Sequence, residues 1–305
     1  MNIVAYYIHN IDPFIIKFCN NCKIGGIRWY GVCYVIAFIF AIFMLNLYSK
    51  KGVSKLTCEQ NSTFMSYAIA GVIIGGRLGY ILLYTPEIII SRPLEIFAVW
   101  HGGMSSHGGF IGVLISTIIF CRKFHINLLS MTDMCATVAP FGFFIGRIAN
   151  FINGELYGKV TDVPWAVIFP NSAESIDRAR PRHPSQLYEC ALEGLILLIY
   201  MQIRFWASKT PKGERSNCDA KNSNEKTKFS YIDGILTSEF LILYGIFRIF
   251  VEIFREPDAD LICGMSRGQF YSIFLIFIGI ALRIFLIKKQ KNLIDISEIH
   301  SHDQI

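Results

Sequence analysis

Charged residues are scarce in this sequence. Only 17% of its 305 residues are Asp, Glu, Lys or Arg, while 53% are hydrophobic and the mean hydropathy is +0.43. A soluble domain of this length needs more polar surface, so a water-soluble globular fold is excluded. A cleavable leader is not expected either. MNIVAYYIHNIDPFIIKF has no early basic region, carries His9 and Asp12 in its apolar part and offers no small-residue cleavage site, so it does not read as a signal peptide. No internal repeat is apparent, which argues against a transporter built from inverted halves. The nine cysteines are scattered singly except for Cys19 and Cys22, and one C-x-x-C without a second pair or a thioredoxin-like context specifies neither zinc nor redox cycling. His101 and His107 have no carboxylate or thiol at ligand spacing beside them. Neither a metal nor a cofactor is expected. Basic helices and stacking platforms are lacking too, so the net charge of +6 suits an anionic membrane surface and not nucleic acid.

Long apolar runs are what the chain has instead. Stretches 27–48, 64–84, 108–120, 131–151, 187–206, 232–254 and 269–287 lie near the ~20 residues that span a bilayer as a helix. The expectation is an all-α integral membrane protein of seven transmembrane helices with a small outer loop region. The third crossing has a start blurred by Gly102, Gly103, Gly108 and Gly109. A single membrane domain is expected over 1–291, with an outer loop at 159–184, a linker at 207–230 and a tail at 292–305. The linker is rich in Lys, Ser and Asn and has nothing to bury, so it reads as a flexible connector. Basic residues set the orientation: Lys50, Lys51 and Lys55, then Arg122 and Lys123, then the linker, then Lys288, Lys289 and Lys291. By the positive-inside rule these loops and the C-terminus are cytoplasmic and the N-terminus lies outside. Arg178, Arg180, Arg182, Arg255 and Arg267 fall in outside loops and make the asymmetry modest.

Charge placed within apolar runs is informative, because each such residue costs at least ~2.5 kcal/mol at a helix centre and turns inward to a partner. Arg147 ends the fourth run, and Arg248, Glu252 and Arg255 share one helical face at the end of the sixth. Glu189 and Glu193 do the same at the start of the fifth. An ion-pair network tying helices together accounts for Glu193 and Arg77. Arg147 and Arg248, with Asn150 and Asn153 placed on Arg147's face, also describe a site for an anion. HGGMSSHGGFIG, residues 101–112, presents His107 among glycines that allow close approach to a ligand. RHPSQLYE, residues 182–189, reads as a hydrogen-bonding collar, since Ser185 lacks the strand-turn-helix context of a nucleophile.

GRIANFINGELYG (146–158), IRWYG (27–31), GGMSSHGG, RHPSQLYE and FRIFVEIFREPD, in this order along the chain apart from IRWYG and GGMSSHGG preceding the first named, resemble the motifs of the prolipoprotein diacylglyceryl transferases. The likeness runs over 27–287. It implies seven crossings, an outside N-terminus, a small periplasmic loop region and a site opening toward the periplasmic leaflet of the bacterial inner membrane. It also implies transfer of the diacylglyceryl group of phosphatidylglycerol to the lipobox cysteine of a preprolipoprotein, giving a thioether and glycerol 1-phosphate. Functional positions implied by the resemblance are Tyr30, His107, Arg147, Asn150, Glu155, Gly158, Arg248 and Glu252. Of these, Tyr30, His107, Arg147, Arg248 and Glu252 are the expected catalytic group. Arg147, Asn150, Asn153, Glu155, Gly158 and Arg248 are the expected phosphatidylglycerol contacts. The residues alone leave Tyr30 open as an aromatic-belt anchor. His101 and Ser106 depart from the family pattern, and the linker resembles an insertion. A transporter of an anionic lipid or solute is the competing reading.

Overall fold

The computed structural model describes residues 5–18, 26–98, 102–173, 179–209, 232–257 and 260–302. Cys19, Cys22, His101, Arg178 and the linker from residue 210 to 230 lie outside these. In chain order the helices are α1 (Trp29–Lys50), α2 (Cys58–Tyr84), the short α3 (Ile88–Ser91), α4 (Ser106–Lys123), α5 (Leu128–Asn153), α6 (Ser185–Glu189), α7 (Leu197–Lys209), α8 (Ile235–Glu252) and α9 (Arg267–His302). A π-helical segment, Cys190–Ile196, joins α6 to α7 without a break.

Every apolar run of the sequence is therefore helical over most of its length. Among the described residues five helices, Trp29–Lys50, Cys58–Tyr84, Leu128–Asn153, Ser185–Ser208 and Arg267–Asn292, are long and apolar enough to cross a membrane. α4 begins Ser-His-Gly-Gly and ends on Arg122 and Lys123, and α8 holds Glu239, Arg248 and Glu252, which keeps both below that level. α2 starts earlier than its apolar run because Thr57 caps it. The Thr57 hydroxyl accepts from the Gln60 amide while the Gln60 side chain accepts from the Thr57 amide, a capping box.

The all-α expectation needs one correction. Two small sheets are present: β1 (Tyr7–Ile8), β4 (Val167–Ile168) and β5 (Pro181–Arg182) form one, and β2 (Phe14–Lys17) pairs antiparallel with β3 (Gly26–Arg28) in the other. β1 runs parallel to β4. These strands are two to four residues long, too short to leave an alternating pattern in the sequence.

The chain divides into two compact units, residues 41–135 and residues 1–40 with 136–305. In the first unit α2 and α4 meet backbone to backbone. A Cβ on Gly79 would lie 2.6 Å from the Gly108 Cα, and one on Gly71 would lie 2.6 Å from the Gly112 carbonyl oxygen. A Cβ added to Gly75 or to Gly108 would lie closer still to the other's carbonyl oxygen. This is the small-residue packing that membrane helices use when no water drives them together. It corrects the ligand-approach reading of the glycines after Ser106: Gly108 and Gly112 serve the helix contact. Arg77 also differs from expectation. Its buried guanidinium donates to the carbonyls of Glu95, Ile96, Gly102 and Gly103 and makes no ion pair among those the described residues show.

In the second unit α8 packs on α9 through Gly245 and Gly279, where a Cβ would meet Ile276 and Ser238. Near the start of α8, Glu239 pairs with Arg204 of α7 at 2.7 Å and Arg283 of α9 at 3.1 Å. Gly194 of the π segment leaves room for Phe144 of α5, whose Cα would stand 2.6 Å from an added Cβ.

Gly75→Leu is expected to force α2 from α4 and lower stability by about 1–3 kcal/mol, the usual range for overpacking, or more where backbone must move. Gly142→Ala, with nothing within 4 Å of the added carbon, is the control. Thermal unfolding in detergent checks both, and equal midpoints would contradict the close contact.

Candidate active site

The C-terminal end of α5 shows how the site is built. Gly154 adopts φ +64°, a left-handed conformation that suits glycine after a helix. The Gly154 amide donates to the Phe151 carbonyl at 2.9 Å and the Glu155 amide to the Asn150 carbonyl at 3.2 Å, the bond pair of a Schellman motif. That turn folds Glu155 back over the helix end. Its carboxylate accepts from the Asn150 amide at 2.9 Å and from the Tyr30 hydroxyl, and Asn150 also donates to Tyr30. Tyr30 is thus tied into the site and is not a free belt anchor.

The collar reading of residues 182–189 takes concrete form. Gln186 donates to the Glu155 carbonyl at 2.6 Å and Ser185 to the Leu156 carbonyl at 3.1 Å. Gly158 bonds to His183 through its amide at 2.8 Å, and an added Cβ would collide with the Phe254 carbonyl at 2.5 Å. Any side chain at 158 would push apart the segments that carry His183 and Arg255. His183 places Nδ1 3.1 Å from the Tyr188 hydroxyl, and burial lowers its pKa.

Next to Asn150 stands a buried cluster of arginines and glutamates. Arg147 Nη1 donates to Asn150 Oδ1 at 3.3 Å. Its Nε lies 2.6 Å from Glu189 Oε2, a charge contact without hydrogen-bond alignment, and its Nη2 lies 3.6 Å from Glu193. Arg248 reaches Glu189 at 2.8 Å, Glu193 at 3.4 Å and Glu252 at 2.9 Å. Arg255 joins Glu189 at 2.9 Å. One fully buried carboxylate therefore touches three guanidinium groups. The two arginines nearest the end of α5 stay slightly accessible, with side-chain exposures of 19% for Arg147 and 12% for Arg248.

The structure thus brings together Tyr30, Arg147, Asn150, Glu155, Arg248 and Glu252, with Gly158 in the adjoining loop. Asn153 differs from the expectation that it shares Arg147's face. At about 100° per residue, six positions turn it roughly 120° away from Arg147, and it lines a cavity with His9. His107 is the second residue of α4, exposed, in the other unit. Glu189 is the residue whose weight sequence reasoning missed. Its signal was present, an ionisable side chain in an apolar run four positions from a second. Among the described residues no group of three or more His, Cys, Asp or Glu is placed to hold a metal ion.

Glu189→Ala should leave three guanidiniums, one buried and two largely so, short of a counterion. A loss of about 3–5 kcal/mol in stability is expected, larger than for Glu193→Ala, whose contacts are longer. Unfolding by heat or denaturant in detergent measures the difference, and an equal or reversed order would contradict the central place of Glu189.

Comparison with known proteins identifies the family. Residues 21–285 match the family described as prolipoprotein diacylglyceryl transferase. A phosphatidylglycerol–prolipoprotein diacylglyceryl transferase of Rickettsia canadensis is 41% identical over 278 residues, covering 90% of this chain and 96% of that protein. Its namesake in Rickettsia felis is 41% identical over 275 residues, with 88% and 95% covered. The one in Dechloromonas aromatica is 41% identical over 270 residues, with 87% and 93% covered. With nearly its whole length matched in this way, the chain belongs to the prolipoprotein diacylglyceryl transferase family.

Proposed function

We propose that this chain transfers the diacylglyceryl group of phosphatidylglycerol to the lipobox cysteine of preprolipoproteins. The observation that carries the reading is the pair Arg147 and Arg248, held side by side by Glu189 and bordered by Asn150, Glu155 and Tyr30. In the reaction the cysteine sulfur forms a bond to the glyceryl carbon while that carbon's bond to the phosphate oxygen breaks. The electron pair leaves on the phosphate of glycerol 1-phosphate. Two guanidiniums can grip that oxygen and its neighbours by charge-assisted hydrogen bonds as negative charge grows. Glu193, at 3.4 and 3.6 Å, is the counterion that the phosphate displaces. Glu252 orients Arg248, and Asn150, Glu155 and Tyr30 fix the outer side of the pocket. The thiol, with a pKa of ~8.5, gives its proton to a base. The resemblance in motifs implies His107 among the functional positions, and the identity of the base stays open. A transporter reading finds no support in the names of the relatives.

The same reading makes the chain a seven-crossing protein of the bacterial inner membrane, one membrane domain with a periplasmic loop at 159–184. α4 and α8 supply the two crossings beyond the five most apolar helices. In α8 the charge is offset by pairing: Glu239 and Glu252 are each neutralised by arginines. The basic loops set the N-terminus outside and the C-terminus inside.

Lysine keeps the charge but loses the planar fork. Arg147→Lys and Arg248→Lys are expected to fold and to lose about 100- to 1000-fold in turnover, the effect of losing one donor at a developing anion. Turnover per folded molecule, with a lipobox peptide in phosphatidylglycerol vesicles, measures this; near-normal rates in both variants would leave the arginines as helix ties only. For orientation, Cys58 and Cys263 are both exposed. In spheroplasts bearing variants that keep one cysteine each, an impermeant maleimide is expected to label Cys263 and spare Cys58. The opposite pattern would invert the topology.

A further inference from the structure

Beside the arginine cluster lie two adjoining cavities that share Asn153, Gly154 and Asn171. The first, about 220 Å³, is lined in part by His9 and Asn10 of the N-terminal segment. At ~30 Å³ per water it has room for roughly seven, enough for a three-carbon polyol. The second, about 490 Å³, is lined by Glu155 and Glu256.

The first cavity is lined by groups with hydrogen-bonding capacity unused. His9 is 6% exposed, its ring set 5.2 Å from Phe151 and 5.4 Å from Phe169. Its Nε2 is buried without a partner, and so is Asn153 Oδ1. Burial lowers the His9 pKa from 6.5, an effect that interaction with the Phe151 main chain only partly offsets. The ring is therefore neutral near pH 7 and keeps an acceptor nitrogen. Buried polar atoms left unpaired are unfavourable, so a ligand that donates hydrogen bonds is favoured. The carboxylates of the second cavity disfavour an anion there.

The cavities connect to the arginines through a short chain of contacts. Arg147 donates to Asn150 at 3.3 Å, Asn150 donates to Glu155 at 2.9 Å, and Glu155 lines the second cavity. A phosphodiester held at Arg147 and Arg248 would place its headgroup beyond the phosphate, on this side. A peptide backbone also brings donors, but it brings as many carbonyls, which these acceptors and carboxylates repel.

We propose that this paired cavity is a hydroxyl subsite for the glycerol headgroup of phosphatidylglycerol, with His9 and Asn153 as hydrogen-bond acceptors. The assignment rests on the transferase reading and adds to it the residues that select the leaving group. They bind the part of the lipid that departs as glycerol 1-phosphate.

The test compares two donor lipids with the full chain and one lipobox peptide. Phosphatidylpropanol keeps the phosphodiester, its charge and the length of the headgroup but lacks both headgroup hydroxyls. The wild type is expected to favour phosphatidylglycerol by about tenfold or more in kcat/KM, the discrimination of a site whose polar groups are left unpaired by the analogue. In His9→Leu and Asn153→Leu the ratio of the two rates should fall severalfold, and in His9→Gln, which retains an acceptor, it should recover in part. A wild type that transfers from both lipids equally would overturn the subsite, independently of how any variant folds. So would a ratio unchanged in both leucine variants, or a rise confined to the KM for the peptide, which would assign the cavity to the protein substrate. If the wild type transfers from neither lipid, the transferase reading fails and the subsite fails with it.

Discussion

The Glu189 carboxylate is the point on which the rest of this structure depends. It lies fully buried at the end of α6 and touches Arg147 of α5, Arg248 of α8 and Arg255 just beyond α8. Each guanidinium alone in an apolar setting would be strongly unfavourable. Gathered on one anion they tie three segments to one place, and the ends of α5 and α8 are fixed relative to the collar that follows Pro184. The geometry at Glu155 and Gly158 follows from that fixation, because Ser185 and Gln186 bond directly to the turn after α5. The π-helical segment begins at Cys190, immediately after Glu189. Such interruptions are rare and tend to occur at functional sites. Here the segment carries Glu193 to the same two arginines.

Much of this was legible in the sequence, for physical reasons that also mark where legibility ended. The helices could be read because a bilayer demands long apolar runs, and all seven runs became helix over most of their length. Arg147, Arg248 and Glu252 could be read because charge in such runs is rare, and GRIANFINGELYG signalled the family by its order of residues. Tyr30 meeting Glu155 across 125 positions could not be read, since it depends on tertiary packing. The β strands left no pattern because each is so short. Gly108 and Gly112 looked like room for a ligand, yet the same absence of a Cβ serves a helix contact equally well. Only the position of α2 decides between these uses. Asn153 was misplaced by treating a three-residue step from Asn150 as a return to Arg147's face.

Arginine and glutamate are equally numerous in the cluster: Arg147, Arg248 and Arg255 face Glu189, Glu193 and Glu252. A neutral sum lets the site persist within a membrane protein while no substrate is bound. It also means that a phosphate cannot simply add to a positive pocket; it must exchange with a carboxylate. Contact lengths indicate which one. Glu189 is held at 2.6 to 2.9 Å, whereas Glu193 stands at 3.4 and 3.6 Å, beyond good hydrogen bonds.

Exchange has a consequence for catalysis in the proposed reaction. Bound phosphatidylglycerol carries one negative charge on its phosphodiester, while the departing glycerol phosphate gains a second as its ester bond to the glyceryl carbon breaks. A single displaced carboxylate balances the first charge, and the second develops only as the bond breaks. Interaction with Arg147 and Arg248 therefore strengthens along the reaction coordinate and is stronger in the transition state than with the bound lipid, which is the condition for accelerating the step and not merely binding the lipid. The neutral ion cluster holds its arginines ready for a charge that appears only as the bond breaks.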